Sequence, residues 1–256
     1  MRLCSRLFFC VLLTVYTASA QAPGPFHFGF KKSKNGELPS IAQEGFMGTL
    51  QRHQAIFLGN TEKKELYLTF DNGYENGMTA KILDVLKEKK VPAAFFVTGH
   101  FVKDQPELIK RMYSEGHLIG NHSWSHPDLS QVSPARIKDE LDKVRAGVAE
   151  LTGQQEMHFV RPPRGIFSDR MLAVCGELGY TNVFWSIAYR DWNINDQKGW
   201  RYAYDNVMAQ LHPGAVILLH SVSRDNAEAL GRMIDAARER GYEFKNLNRL
   251  EVKIYR

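Results

Sequence analysis

Cysteine is all but missing: the 256 residues contain three, Cys4, Cys10 and Cys175. The first two fall in a leader-like stretch, so a processed chain would keep one thiol, form no internal disulfide and rely on its core alone. Long apolar runs are missing too. The one extended run, Leu7 to Tyr16, is too short to cross a bilayer comfortably. With Arg2 and Arg6 before it and Ala18-Ser19-Ala20 after it, residues 1–20 have the charge, length and small residues of a cleavable signal peptide. An uncleaved anchor is the alternative, and transient membrane contact through this segment is compatible with either. No Lys/Arg-rich run or basic stripe interleaved with aromatics is present, which removes the usual sequence case for nucleic-acid binding. Repeats and low-complexity linkers are likewise absent, so nothing calls for a second folded domain.

What is present is ordinary globular composition, 44% hydrophobic and 24% charged. Losing Arg2 and Arg6, and no acid, takes the formal charge from +5 to +3. This modest basicity suits an anionic polymer outside the cell, such as a wall glycan. Residues 21–62, with Pro23, Gly24, Pro25, Lys31, Lys32 and Lys34, read as an extended N-terminal extension with one short helix within Pro39 to Arg52. From Glu65 onward short apolar runs alternate with amphipathic segments. Strands are expected at 66–70, 93–97, 117–120, 158–161, 182–187, 215–219 and 243–244. Helices are expected at 78–89, from Asp104 as cap to 114, at 133–151, 168–178, 204–211 and 226–240. Ser133-Pro134 has the form of an N-cap followed by a first-turn proline. Six or seven β/α units imply an α/β fold with a parallel, helix-covered sheet. The count falls short of eight, which favours a closed or incomplete (β/α) barrel, with an open doubly wound sheet as the alternative.

In either topology the C-terminal strand ends share one mouth, and polar residues recur there: Asp71-Asn72, His122 and His126, Arg161, Asp191-Trp192, and His220. Thr69-Phe70-Asp71-Asn72-Gly73-Tyr74 breaks from an apolar run into a turn, and alone it is an ordinary turn. The later motifs change its meaning. His122 and His126 stand four apart, a spacing that lets two neutral imidazoles grip a cation such as zinc, although an isolated pair of this kind is more often superficial. Arg161, followed by two prolines, presents a guanidinium rigidly enough to clamp a carboxylate. His220 could be a core histidine, but Asp191 offers a carboxylate able to orient its ring and raise its pKa. The remaining histidines, His27, His53, His100, His117, His158 and His212, are assigned structural or solvent roles, and Cys175 a core one.

Taken together, Thr69-Phe70-Asp71-Asn72-Gly73, His122-Ser-Trp-Ser-His126, Arg161-Pro-Pro-Arg-Gly165, Asp191-Trp192 and Val216-Ile-Leu-Leu-His220 resemble, in order and spacing, the five motifs of the NodB-type polysaccharide deacetylases, carbohydrate esterase family 4. The match spans roughly residues 65–245, and the domain is expected over 63–250. Its wording is nearest to the branch of N-acetylmuramic acid deacetylases of spore-forming bacteria, which serve muramic δ-lactam formation in spore cortex peptidoglycan. The resemblance implies a distorted (β/α)7 barrel. It also implies that Asp71 is general base, positioned by Arg161, that His220 tuned by Asp191 is general acid, and that a backbone N–H at Arg164 receives the oxyanion. A divalent metal, zinc first, is implied on His122, His126 and the residue at 72. Here that residue is Asn72, where most of the family has Asp; a neutral amide predicts weaker binding.

Arg164 stands where many relatives carry an aromatic residue, and it could pair with the lactyl carboxylate of muramic acid. Trp192 and Tyr74 are the other expected substrate contacts. The expected partner is therefore a peptidoglycan glycan strand, and the expected location is outside the cell, in the wall or spore envelope. Two other functions remain open: a deacetylase of N-acetylglucosamine in peptidoglycan or chitin, and a non-catalytic wall-glycan-binding protein.

Overall fold

The computed structural model describes residues 24–34 and 37–251, so the expected signal peptide lies outside the described residues. The elements in chain order are β1 (Phe26–His27), α1 (Met47–Arg52), β2 (Glu65–Asn72), α2 (Thr79–Lys89), β3 (Ala94–Val97), α3 (Gly99–Asp104), α4 (Pro106–Ser114) and β4 (Leu118–Asn121). They continue with α5 (Pro134–Thr152), β5 (Phe159–Val160), β6 (Ile166–Phe167), α6 (Asp169–Glu177), β7 (Thr181–Asn182), α7 (Trp200–Met208), β8 (Ala215–His220), α8 (Arg224–Glu239) and β9 (Glu243–Phe244).

Seven parallel strands form one sheet, ordered β7-β5-β4-β3-β2-β8, with β9 pairing the start of β2. The sheet curls, and one segment bridges its seam. Beyond β7 the chain leaves β5 and bonds β8: the Ile187 amide donates to the Val216 carbonyl (3.2 Å) and the Leu218 amide to the Ile187 carbonyl (2.9 Å). The result is a distorted barrel, as expected, not an open doubly wound sheet. The strand expected over 182–187 is therefore only partly regular, because it changes partners midway.

Strand β2 shows why the sheet buries both faces. Leu66, Leu68 and Phe70 pack against the helices, while Tyr67 joins Phe96, Val183 and Val216 in the barrel interior. The same alternation sends Thr69 and Asp71 inward with Tyr67. Asn72, one residue on, faces the other way.

Two local expectations are corrected. The helix expected from Asp104 to 114 is α4, opened by Pro106 and not capped by Asp104, and an unexpected helix precedes it: the Thr98 hydroxyl caps α3 by accepting from the Phe101 amide (3.3 Å), and Asp104 ends it. The extension, read as weakly structured, packs through β1, which pairs antiparallel with β6. Its phenylalanines, two apart, supply one apolar face: Phe28 stacks on Phe184 with centroids 4.5 Å apart. The N-caps Ser133, Ser168 and Ser223 each accept from a backbone amide three residues on.

Candidate active site

The ends of β2, β3, β4, β5 and β8 open into a cleft of about 1130 Å³, above the roughly 300–1,000 Å³ common for small-ligand pockets. Asp71 lies at its floor, buried at 6% exposure. Its Oδ1 accepts from Arg161 Nη1 at 2.7 Å. Arg161 has no exposed surface; it spends its other donors on Thr69 Oγ1 (2.8 Å) and the Val183 carbonyl (3.1 Å), and lies 4.1 Å over the Phe96 ring. Burial alone would raise the Asp71 pKa. The positive charge of Arg161, with that of His220 adding to it, outweighs burial and holds the carboxyl below its ordinary range.

His122 and His126 are brought together by a turn rather than a helix. Ser123 and His126 take φ of 63° and 56°, and the rings meet edge to face at 4.9 Å. The turn is clamped from α5, where the fully buried Glu140 accepts from the Ser125 amide (2.7 Å) and hydroxyl (2.6 Å). It is also held by Trp124, which fills the space a side chain at Gly99 would take. The carbonyl of Arg161 fixes the His122 tautomer: Nδ1–H donates to it at 2.8 Å, leaving a lone pair on Nε2. That nitrogen lies 3.5 Å from Asp71 Oδ2. Two acceptors face each other, an arrangement that needs a donor or a cation between them. Both rings stay neutral; burial pushes His122 down, and burial followed by the neighbouring His122 pushes His126 down to about 4.

Asn72 is fully buried; its Nδ2 donates to Ser221 Oγ (2.6 Å), and its Oδ1 has no hydrogen-bond partner. Such an orphaned acceptor costs about 1–3 kcal/mol unless something fills it. Among the described residues no three His, Cys, Asp or Glu side chains are arranged to hold a metal. The histidine pair therefore has no third ligand of those types, and the Asn72 Oδ1 is left as a buried acceptor without a partner.

Across the cleft, His220 Nδ1–H donates to Asp191 Oδ1 at 2.7 Å, so Nε2 is left for the cleft. Asp191 Oδ2 accepts twice more, from the His220 amide (2.7 Å) and Asn226 Nδ2 (2.6 Å). Burial would lower the His220 pKa, but the Asp191 carboxylate reverses the shift and raises it. The floor thus carries an ionised carboxylate, and the wall an imidazole that keeps its proton. Such a pair can take a proton from one atom and give one to another.

This pairing of acid and base within one parallel barrel can be set against known proteins. The sequence profile of the polysaccharide deacetylase family matches residues 58–183. Over 250 residues, 97% of this chain and 95% of the other, the sequence is 52% identical to the peptidoglycan-N-acetylmuramic acid deacetylase PdaA of Bacillus subtilis. The chain is a family 4 polysaccharide deacetylase. The solved structure of Bacillus subtilis PdaA, a family 4 carbohydrate esterase, superposes with a TM-score of 0.86 at 54% identity, covering 88% of this chain and 96% of that one. A family 4 carbohydrate esterase from Bacillus anthracis superposes at 0.74 with 50% identity, covering 88% and 95%.

The deacetylase cleft is lined by Asp71, Tyr74, His126, Arg164, Trp192 and His220, while His122, Arg161, Asp191 and Asn72 sit behind that surface. Arg164 is exposed with φ of 58° on the turn between β5 and β6. Trp192 and Tyr74 are exposed at 52% and 42% on the rim, and the Trp192 ring lies 5.8 Å from His220. His100, given a structural or solvent role, is an exposed residue at the edge of the deacetylase cleft, where α3 begins. Cys175 is buried and its thiol is pushed up to about 12 by that burial, as a core residue should be. Sequence reasoning quoted Thr69 within its first motif without giving it the role of holding Arg161, and it missed Asn226, Glu140, Lys32 and Phe30 as parts of the site. Of those four only Asn226 carried a signal, three residues after the helix-capping Ser223.

Proposed function

We propose that this deacetylase removes the acetyl group from N-acetylmuramic acid in peptidoglycan strands lacking stem peptides, and that the product leads to muramic δ-lactam in spore cortex. The observation that carries the reading is the 52% identity along 97% of the chain to a peptidoglycan-N-acetylmuramic acid deacetylase. Arg164, exposed in the cleft, supports it as the partner for the free lactyl carboxylate.

In this reading Asp71, kept ionised by Arg161, takes a proton from the attacking water. The Arg164 N–H, on a turn braced by Gly165, receives the developing oxyanion. His220, protonated through Asp191, gives its Nε2 proton to the leaving nitrogen. Acetate and a free muramic amine result. Tyr74 and Trp192 offer faces for sugar rings. A divalent metal fits: His122 Nε2 and His126 are neutral, and the Asn72 oxygen is buried without a partner. Zinc is the first choice for such donors, and when bound it supplies Lewis acidity to water and acyl oxygen.

We also assign residues 1–20 as a cleaved signal peptide, 21–62 as an extension and 63–250 as the catalytic domain, with the protein secreted to the wall or spore envelope. Mass spectrometry of peptide-stripped strands incubated with residues 21–256, with and without chelator, tests the activity. Loss of acetyl from muramic residues supports the reading, and loss only from glucosamine residues overturns it. Arg164→Ala should raise KM for stripped muramic strands far more than for chitin oligomers; equal effects would remove Arg164 from substrate choice.

A further inference from the structure

Asp71, bound by Arg161, is the one carboxylate among the residues lining the cleft, whereas Lys32, Arg164 and Arg190 all line it. None of these three has a carboxylate within ion-pair distance among the described residues, while Lys31 pairs with Glu37 at 2.8 Å. The cleft is therefore net positive, and no carboxylate of the described residues neutralises these three cations.

Lys32 is no ordinary surface lysine. The segment carrying it is fastened at several points: Phe26 pairs with Phe167, the Phe28 amide donates to the Gly165 carbonyl (2.9 Å), and the Phe28 ring stacks on Phe184. Lys32 Nζ then donates to the Ala188 carbonyl at 3.1 Å, two residues before Arg190, whose guanidinium lies 5.9 Å from the Trp192 ring. Two cations from distant parts of the chain thus share one wall. Lys32 also precedes residue 58, where the match to the general family profile begins.

We infer that Lys32 and Arg190 form a carboxylate subsite for the glycan strand, separate from Arg164. The inference rests on the muramic reading above, which supplies a strand with a carboxylate on every second sugar once peptides are gone. A cleft of about 1130 Å³ has room beyond the reacting sugar. The ligand is the free lactyl carboxylate of a neighbouring muramic residue, so the enzyme favours strands stripped at successive positions.

The test is calorimetric binding of a tetrasaccharide of two glucosamine–muramic units, in a His220→Ala background that keeps the strand intact. Three ligands are compared: both lactyl groups free, the neighbouring one amidated, and the neighbouring one carrying a single alanine. The free strand should bind about tenfold tighter than the amide, and K32A/R190A should erase that difference, while K31A preserves it. Alanine-capped strand binding like the amide identifies the lactyl group as the source; binding like the free strand keeps the subsite but admits a carboxylate further out. Equal binding of free and amidated strands, or a difference that survives K32A/R190A, overturns the subsite. Acetate release by the wild-type protein is read separately, so failure of the muramic reading is visible on its own.

Discussion

Single side chains decide the acid–base division at the cleft. His220 keeps its proton above the usual imidazole range because Asp191 faces it, and the acid role needs that proton. Activity should therefore persist as pH rises past about 6.5, the ordinary histidine value, and fall only as His220 deprotonates. Asp191→Asn removes the charge, so the alkaline limb of the kcat profile should move to lower pH and kcat should fall about 10²–10⁴-fold. An unmoved limb would show that His220 is not the titrating acid. Asn72 poses the complementary question, since its oxygen is unpartnered while its nitrogen is held by Ser221. Asn72→Asp supplies an anionic donor and should tighten zinc binding about tenfold or more by calorimetry. Unchanged affinity would take position 72 out of the ligand set.

Elements matter where they hold the histidine turn. The start of α3 and the body of α5 grip it from two sides, through Gly99 against Trp124 and through Glu140 against Ser125. A Cβ at Gly99 would lie 2.1 Å from the Trp124 ring, so the ring would have to shift toward the cleft and away from its place beside Lys103, whose Nζ lies 5.1 Å from the ring centroid. Gly99→Ala should cost about 1–3 kcal/mol in stability, as overpacking does. It should also weaken zinc binding, because the displaced tryptophan is the middle residue of the turn that joins the two histidines in sequence. A lowered Tm with unchanged zinc affinity would mean that the turn holds its shape without this contact. None of these grips could be read from the motif, since Gly99 and Glu140 lie outside it and are brought there by helix packing.

On the scale of the whole molecule, the extension is part of the barrel's wall. Phe26, Phe28 and Phe30 are only half buried, yet they cover the turn carrying Arg161 and Arg164 and bring Lys32 into the cleft. A chain of residues 33–256 should melt on the order of 5 °C lower than 21–256, given about 1.5–3 kcal/mol for full burial of a large apolar side chain and 2–4 °C per kcal/mol at this size. Equal melting temperatures would show the extension to be dispensable. The sequence alone determined the alternation of strands and helices, the parallel sheet, and the strand-end positions of Asp71, His122, Arg161, Asp191 and His220. These follow from short-range physics: period-two burial, caps and turn residues act within a few positions. Tertiary structure decided the rest. Arg161 meets Asp71 across ninety residues, Asn226 completes the hold on Asp191, and Phe28 braces Gly165. Such contacts depend on the register between strands and on how far the sheet curls before its seam is bridged, and both are fixed only when the whole barrel packs.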